Sequence, residues 1–408
     1  MWTTIRSGDW ITAQRLRNYP LIVLAFSIVA VVTMIAVTHD RLGPDKRPLG
    51  TDFSQVWVAG LETLRGHPEE PFDLPRHVAE QRAEFGTDHA VYGWHYPPYF
   101  LAPAAVLAHL PYLQALLLWQ LATLALYLGV LAAITRDSGI SRTQALIAAV
   151  AFPAVLINLG HGQNGFLTAA LLGAVFLLLD KRPVLAGAML GLLAYKPQFA
   201  LALPVALLFG RHWRALAAAS ASVVVTTALT VAAFGVGAWR AFFESLPLTR
   251  TYVIEQGATG FEKIQSVFAA VRLMGGDVPT AYAFQGVVTV VALAGVALVW
   301  SSALPLRRKA AVAIIATLMT TPYCLDYDML VLAPAAAFIV VEGIERGFGA
   351  FEKSAMALTF FSPLIARPLA EATPVPLGVI AICLLFAASL RTAIEARHGA
   401  NPQIFAAS

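Results

Sequence analysis

The sequence predicts an all-α integral membrane protein, a polytopic bundle of helices. Of its 408 residues, 58% are hydrophobic and only 13% are charged, and the mean hydropathy is +0.69. Soluble domains carry about 25% charged residues. Apolar runs long enough to cross or nearly cross the ~30 Å hydrocarbon core recur from one end of the chain to the other, which is typical of a helical bundle rather than an anchored soluble domain.

These apolar runs predict about twelve membrane spans in a single domain, residues 1–408. The predicted spans are 20–38, 113–134, 143–159, 164–180, 183–196, 198–210, 215–235, 283–303, 309–322, 328–343, 354–367 and 374–390. The first run is long enough to remain as a span, and no cleavable signal is expected. The two cysteines lie in or beside spans and indicate no disulfide framework.

Basic residues set the predicted orientation. Lys and Arg of short loops mark the cytoplasmic side, which places the N-terminus (1–19) and the tail (391–408) inside. Two long loops, 39–112 and 236–282, then lie outside and carry helices of their own, including an amphipathic piece at 56–64 and a polar one at 76–85. If 97–111 were a span, the basic residues of every later short loop would lie outside. The segment is therefore predicted to be a re-entrant or interfacial helix.

Five polar clusters fall at the predicted outer ends of the helices. They are Asp52, "WHYPP" (94–98), "GHGQNG" (160–165), "YKPQ" (195–198) and "PYCLDYD" (322–328). Charged groups at membrane depth are costly and usually face a cavity or a partner. Their gathering on one face predicts an outward-facing active site or binding chamber.

Each cluster also has a structural explanation. Asp52 could pair with Arg47 or Lys46, and Lys196 could extend to the interface. The remaining members, Gln163, Asn164, Asp326 and Asp328, could cap helices. No His, Cys or carboxylate spacing resembles a structural metal site, and no cofactor is expected.

Several of these stretches together resemble glycosyltransferase family 87, a group of GT-C integral-membrane enzymes. They are "TDFSQVWVAG", "YPP", "GQNGFLTAALLGAVFLLLDKRPVLAGAMLGLLAYKPQFALALP" and "TPYCLDYD", and the resemblance runs over roughly 20–345. It implies a GT-C-type bundle that transfers a sugar, expected to be mannose, from a polyprenyl-phosphate donor to a lipid or glycan acceptor. It also implies that Asp52, which occupies the position of the acidic residue in the first outer loop, acts as the base. Related enzymes often pair two acids there with a metal, whereas Phe53 follows Asp52 here, so metal dependence is not expected.

The remaining polar residues are matched to such a reaction by their chemistry. An inverting transfer needs one base for the acceptor hydroxyl and a cation for the leaving phosphate. Lys196 is the best cation, with Arg250 and Arg240 as weaker candidates. The residues expected to bind the sugar or the acceptor are Gln163, Asn164, Gln198, Trp57, His95, Tyr96, Tyr323, Asp326 and Asp328.

The expected partners are the lipid-linked donor, the acceptor and membrane lipids, with no nucleic acid. The expected location is the inner (plasma) membrane, with the active site on the outer face. Two alternatives stay open from the residues alone. A secondary transporter would show inverted repeats and polar groups near the midplane, and an O-antigen ligase or polymerase would also handle lipid-linked sugars.

Overall fold

Helices account for most of the described chain. The computed structural model describes residues 1–86 and 90–397, so the predicted tail beyond 397 lies outside the described residues. Within the described ranges the β-type pairings are isolated bridges, such as the one between Ile264 and Leu325. The α-helices of these ranges are α1 (Trp2–Ser7), α2 (Ala13–Ala36), α3 (Phe53–Leu64), α4 (Leu74–Phe85), α5 (Leu101–Ala108), α6 (Tyr112–Ile134), α7 (Arg142–Ala151), α8 (Pro153–His161), α9 (Gly165–Leu178), α10 (Pro183–Leu192), α11 (Ala202–Phe209), α12 (Trp213–Thr249), α13 (Val267–Leu273), α14 (Val278–Trp300), α15 (Leu306–Met319), α16 (Leu332–Arg346), α17 (Glu352–Ala372) and α18 (Leu377–Arg397). The predicted all-α class is confirmed.

Six helices of the described residues are long and apolar enough to cross a membrane, which confirms an integral membrane protein. They are Ala13–Ala36, Tyr112–Ile134, Trp213–Glu255, Val278–Trp300, Asp326–Arg346 and Leu377–Arg397. Helices α7 and α8 make a seventh if they are taken as one span bent by 56°. The bend falls at Phe152, which has an extended conformation because a residue that precedes a proline avoids the helical region.

Several other predicted spans are short apolar helices. The predicted segments 164–180, 183–196 and 198–210 correspond to Gly165–Leu178, Pro183–Tyr195 and Pro197–Phe209, which belong to a group of 10–17 residues. A helix of that length rises ~15–26 Å, less than the ~30 Å hydrocarbon core. The expected twelve crossings therefore stay a prediction. Helices α9 and α15 are buried along most of their length and form the centre of the bundle with α16.

The first long loop folds into helices α3, α4 and α5, which lie beside the bundle. The amphipathic and polar helices expected at 56–64 and 76–85 are present as α3 and α4. The segment 97–111 forms the short apolar helix Pro98–Ala108, which packs against α3. Such a helix rises only ~16 Å and is too short to span a bilayer.

Buried polar contacts hold this loop in one arrangement. The Glu62 carboxylate of α3 lies 2.8 Å from Nδ1 of His77 in α4, and both side chains are fully buried. Gln81 of α4 donates from its amide to the Tyr92 carbonyl at 2.7 Å and accepts from the Tyr92 N–H at 3.0 Å. The extended segment 90–95 is thereby fixed against α4.

The second long loop continues from α12. That helix is broken at Gly235, whose φ of 76° is non-helical, at the predicted end of the span. Its second half reaches the first loop, where the rings of Phe242 and Phe72 meet edge to face at 5.9 Å. A wide helical turn, Arg250–Glu255, follows and leads into α13. The two long loops therefore lie at the same end of the protein and pack against each other.

Candidate functional site

A cavity of about 390 Å³ lies between the two long loops. Small-molecule sites typically enclose about 300–1,000 Å³. Its lining comes from Asp52 and the segment 90–95 of the first loop, from His161 at the end of α8, from residues of the second loop between 245 and 263, and from Leu325–Tyr327. Of the predicted site residues, Asp52, His95 and Asp326 line this one cavity.

Asp52 is placed by the turn that starts α3. The Phe53 N–H donates to the Gly50 carbonyl at 2.6 Å, which closes the turn directly before the helix. One carboxylate oxygen, Oδ2, accepts a hydrogen bond of 2.8 Å from Nε2 of Gln163. The other, Oδ1, lies 3.5 Å from Nδ1 of His161. Arg47, considered from the sequence as a partner of Asp52, instead pairs with Asp45 at 3.3 Å.

The stretch "GHGQNG" brings His161 and Gln163 to Asp52. Helix α8 ends at His161 and α9 begins at Gly165, and the turn between them needs a left-handed residue, which Gly162 supplies with φ of 63°. A Cβ at Gly162 would lie only 2.6 Å from the Cβ of Phe53, so the turn packs directly on the start of α3. The Asn158 side chain closes the turn, since its amide donates to the Gln163 carbonyl and its oxygen accepts from the Gly165 N–H.

A chain of hydrogen bonds sets the orientation of the Gln163 amide. The Tyr96 hydroxyl donates to Gln163 Oε1 at 2.9 Å, so the opposite end of the amide is the donor that faces Asp52. Burial raises the pKa of the Tyr96 phenol well above its ordinary value, which keeps this hydroxyl protonated as a donor. The chain Tyr96–Gln163–Asp52 therefore ends on a carboxylate oxygen that only accepts.

Asp52 is ionised at neutral pH. Burial raises the pKa of its carboxyl, but His161, the hydrogen bond from Gln163 and the charge of Lys263 lower it by more, so the pKa lies below its ordinary value of 3.8. A carboxylate held in this state at a cavity wall can accept a proton from a bound hydroxyl group.

The rest of the cavity wall offers a second carboxylate, a cation and a neutral imidazole. Asp326 is 5% exposed, and its Oδ1 accepts from the Tyr327 N–H at 2.9 Å. Lys263 lines the same cavity from the second loop. His95 contacts the Thr249 hydroxyl through Nδ1 at 3.0 Å, and burial lowers the pKa of its imidazole to about 4, so the ring is neutral at pH 7.

Lys196 has an acidic partner that its sequence neighbours do not supply. Its ammonium donates to Oδ1 of Asp328 at 2.5 Å, and both residues are 2% exposed. The second oxygen of Asp328 accepts from the Leu325 N–H at 3.0 Å, so this carboxylate also caps the short helix Asp326–Val331, as the capping alternative anticipated. Lys196 and Asp328 are not among the cavity-lining residues, and their charges balance each other.

Other predicted site residues lie beside or away from the cavity wall. Trp57 packs in the core and donates from its indole N–H to the Leu110 carbonyl at 2.9 Å. Gln198 is partly buried in the short turn Pro197–Phe199, and the Tyr323 ring lies 6.5 Å from that of His95. Arg250 has a 64% exposed side chain that pairs with Glu255. Asn164 is buried without a capping bond, and its side-chain amide has no hydrogen-bond partner within the described part of the chain.

Two residues that line the site carried no assigned role from the sequence. His161 had no recognisable partner there, although it belongs to the "GHGQNG" cluster. Lys263 lies in the second loop, outside the five polar clusters. The closeness of His161 to Gln163 in the sequence could have identified His161 as a site residue. Lys263 is identified only by the folded second loop.

No group of three or more His, Cys, Asp or Glu side chains within residues 1–86 and 90–397 is arranged to hold a metal ion. The polar side chains of the described cavity wall are two carboxylates, a lysine, an arginine, two imidazoles, the indole of Trp94 and several hydroxyl groups.

The family model of glycosyltransferase family 87 matches residues 94–322, more than half of the chain. The matched range includes the segment from Trp94 to Tyr96, the α8–α9 turn and the second loop, while Asp52 and Asp326 lie outside it. No curated protein and no solved structure matches the chain.

Proposed function

The chain belongs to glycosyltransferase family 87, and on that premise we propose that it transfers a sugar, expected to be mannose, from a polyprenyl-phosphate donor to a hydroxyl group of a lipid or glycan acceptor. It is a membrane glycosyltransferase, so the predicted enzyme class is confirmed and the secondary transporter is set aside.

The observation that carries the proposal is the ionised Asp52 carboxylate in the cavity wall. It accepts from Gln163 through one oxygen, and it has only the imidazole of His161, at 3.5 Å, as a nearby cationic group within ion-pair distance among the described residues. A carboxylate in a tight Arg or Lys pair would be a poor proton acceptor, whereas Oδ1 of Asp52 has only long contacts, to the Thr51 hydroxyl at 3.4 Å and to His161 at 3.5 Å. Asp52 is therefore suited to act as the general base.

The proposed reaction is a single displacement with inversion. The acceptor hydroxyl oxygen forms a bond to the anomeric carbon, and its proton passes to Asp52. The bond between the anomeric carbon and the phosphate oxygen breaks, and its electron pair stays on the polyprenyl phosphate. The anomeric carbon passes through a state with oxocarbenium character, so the base and the leaving phosphate are needed on opposite sides of the sugar.

The polar and aromatic wall offers binding groups for the sugar. Trp94 is buried at the cavity with an indole N–H that has no partner among the described residues. Asp326 and neutral His95 offer an acceptor and a ring nitrogen for sugar hydroxyls. Aromatic faces with a few placed polar groups are typical of small-ligand sites.

A lipid-linked donor accounts for a transferase that is built into a membrane. The prenyl chain can lie among the apolar helices while its phosphate reaches the cavity. Both long loops that line the cavity are predicted to lie outside by the distribution of Lys and Arg. We therefore propose the outer face of the inner membrane as the site of transfer.

The direct test uses purified full-length protein in neutral lipid nanodiscs with labelled polyprenyl-phosphate mannose and candidate lipid acceptors. The matched donors are the glucose-bearing polyprenyl phosphate and a nucleotide-activated mannose. We expect labelled product only from a polyprenyl-phosphate donor, with the anomeric configuration inverted. Efficient transfer from the nucleotide sugar, or a retained configuration, would contradict the proposed donor or mechanism.

A further inference from the structure

The second loop contains a compact turn, "GATGFEK" (257–263), that faces the cavity. Gly257 and Gly260 have φ of 66° and 89°, and a Cβ at either would collide with the Phe261 ring or the Glu262 carboxylate. Backbone bonds from Gly260 to Gly257 and from Lys263 to Gly260 keep the turn tight. The turn presents Ala258, Thr259 and Lys263 to the cavity.

Lys263 is the one cation at the cavity wall, among the described residues, that is not already in an ion pair. Among the described residues, no carboxylate oxygen lies within 4 Å of its ammonium group. Of the other candidate cations, Lys196 pairs with buried Asp328 and Arg250 pairs with Glu255. Arg240 is not among the residues that line the cavity. An ammonium group that faces a cavity without a bound carboxylate is available to a ligand anion.

Two buried polar atoms of residues that line the same cavity also lack partners among the described residues. Oγ1 of Thr259 and Nε1 of Trp94 are buried without a hydrogen-bond partner in the described chain, and both residues line the same cavity. A buried donor without a partner costs about 1–3 kcal/mol. An indole N–H only donates and a hydroxyl can donate, so both suit a ligand rich in acceptor oxygens. A phosphate group is such a ligand.

We propose that the 257–263 turn, with Lys263 as its charged group, is the site that binds the phosphate of the polyprenyl-phosphate substrate and retains it as the leaving group. The inference rests on the proposed function, and it reassigns the phosphate-binding cation from Lys196 and Arg250 to Lys263. Asp52 belongs to the first loop and Lys263 to the second, so the base and the leaving-group cation come from two different loops that line one cavity.

The test measures binding directly and does not depend on turnover. Full-length protein in phosphatidylcholine nanodiscs is titrated with geranylgeranyl monophosphate, geranylgeraniol and inorganic phosphate. The variants are Lys263→Gln, Lys263→Arg and Arg250→Gln, the last being a loss of the same charge from the same loop but outside the cavity lining. Thermal unfolding of each variant reports folding.

We expect Lys263→Gln to weaken binding of the lipid monophosphate by about tenfold to a hundredfold, as for a charge-assisted hydrogen bond. Lys263→Arg should recover part of the loss, because it keeps the charge with another geometry. Arg250→Gln should bind like the wild type, and geranylgeraniol should bind equally weakly to all forms. Inorganic phosphate should bind far more weakly than the lipid, since it lacks the chain.

The outcomes separate this inference from the proposed function. Wild-type binding of the lipid monophosphate by a folded Lys263→Gln protein would overturn the inference, even if transfer from the donor is observed. Conversely, Lys263→Gln could weaken binding of the lipid monophosphate while the wild-type protein transfers no sugar from any polyprenyl phosphate. That combination would support the anion site and contradict the proposed reaction. Inorganic phosphate binding as tightly as the lipid would also overturn it, by indicating a site for free phosphate.

Discussion

Replacement of Asp52 by Asn tests the proposed base with little disturbance of the fold. The Asn oxygen can accept the 2.8 Å hydrogen bond from Gln163, and its amide can donate to the Thr51 hydroxyl or the His161 ring, which lie 3.4 and 3.5 Å from Oδ1. The lost ionic contact is long, and removing a buried charge also removes its desolvation cost. We expect the free energy of unfolding to change by no more than about 1 kcal/mol.

The effect on transfer should be far larger than the effect on stability. A positioned general base contributes about 10²–10⁴-fold to the rate. That range corresponds to roughly 2.7–5.4 kcal/mol in the activation free energy at 1.36 kcal/mol per tenfold. Asp52 touches the reacting proton and not the donor phosphate in this mechanism, so kcat should fall while donor affinity stays close to that of the wild type.

The assay compares initial transfer rates, donor binding and thermal unfolding of purified Asp52→Asn and Asp45→Asn. Asp45 is the matched control, because it is an aspartate of the same loop with a 61% exposed side chain that pairs with Arg47. Exposed pairs of this kind contribute about 0–1 kcal/mol, so its variant should transfer sugar at close to the wild-type rate. Full turnover by a folded Asp52→Asn protein would refute the reasoning and leave Asp326 as the next acid to test.

The pH dependence gives a second check on the same residue. The folded pKa of Asp52 lies below the ordinary value of 3.8, so the base is ionised above about pH 5 and the rate should not fall with acidity until lower pH. The stability that this depressed pKa contributes is present above the unfolded pKa and is lost as the pH falls through the folded pKa. An acid limb of kcat/KM with a midpoint near pH 6 would contradict Asp52 as the titrating base and would favour an imidazole.

The geometry also predicts the behaviour of the buried Lys196, of two exposed labelling positions and of His95. Lys196→Ala should lower the free energy of unfolding by about 3–5 kcal/mol, because it leaves Asp328 buried without its cation, and Lys196→Ala with Asp328→Asn should recover much of the loss in thermal or denaturant unfolding. In a background without the native cysteines, Thr373→Cys should react with an impermeant thiol reagent from outside and Lys181→Cys only after permeabilisation, since both positions are exposed and lie on opposite predicted faces. The folded pKa of His95 is about 4, whereas its ordinary value is 6.5, so between these two pH values only the unfolded state takes up the proton. The free energy of unfolding should therefore fall by up to about 3 kcal/mol as the pH is lowered from 6.5 to 4. The His95→Gln protein should lack this fall.

Each of these predictions has an outcome that contradicts it. A stable Lys196→Ala protein that has lost donor binding would restore Lys196 as the phosphate ligand. The reverse labelling pattern would move the cavity to the cytoplasmic face. Gly162 is unsuitable for the labelling, because a side chain there meets Phe53 and a left-handed backbone. An unchanged pH dependence in His95→Gln would show that the wild-type imidazole is not held neutral by its surroundings.

The sequence was sufficient for the fold class because composition and apolar runs report directly on the membrane environment. It was also sufficient for the helices of the first loop, whose periodicity is local. It could not supply the pair between Lys196 and Asp328, which are separated by 132 positions and meet only through folding. For the same reason the sequence suggested Lys196 as the phosphate ligand and gave no role to Lys263. Only the folded protein shows that Lys196 is paired with a carboxylate and that Lys263, among the described residues, is not.

The placement of charge in the folded protein favours separate roles for the two loops, with the base on the first and the cation for the leaving phosphate on the second. Lys196 and Asp328 neutralise each other in the interior, and a pair of that kind is costly to open for a ligand. Asp52 and Lys263 both line the cavity without a close ion pair between them among the described contacts, so each keeps its charge available for a substrate. In the displacement at the anomeric carbon, the acceptor hydroxyl loses a proton and the leaving phosphate gains negative charge. A carboxylate on the first loop and an ammonium on the second can stabilise both changes at once only while the loops stay packed together. The Phe72–Phe242 contact between the loops is therefore expected to matter for transfer, although neither ring carries a charge.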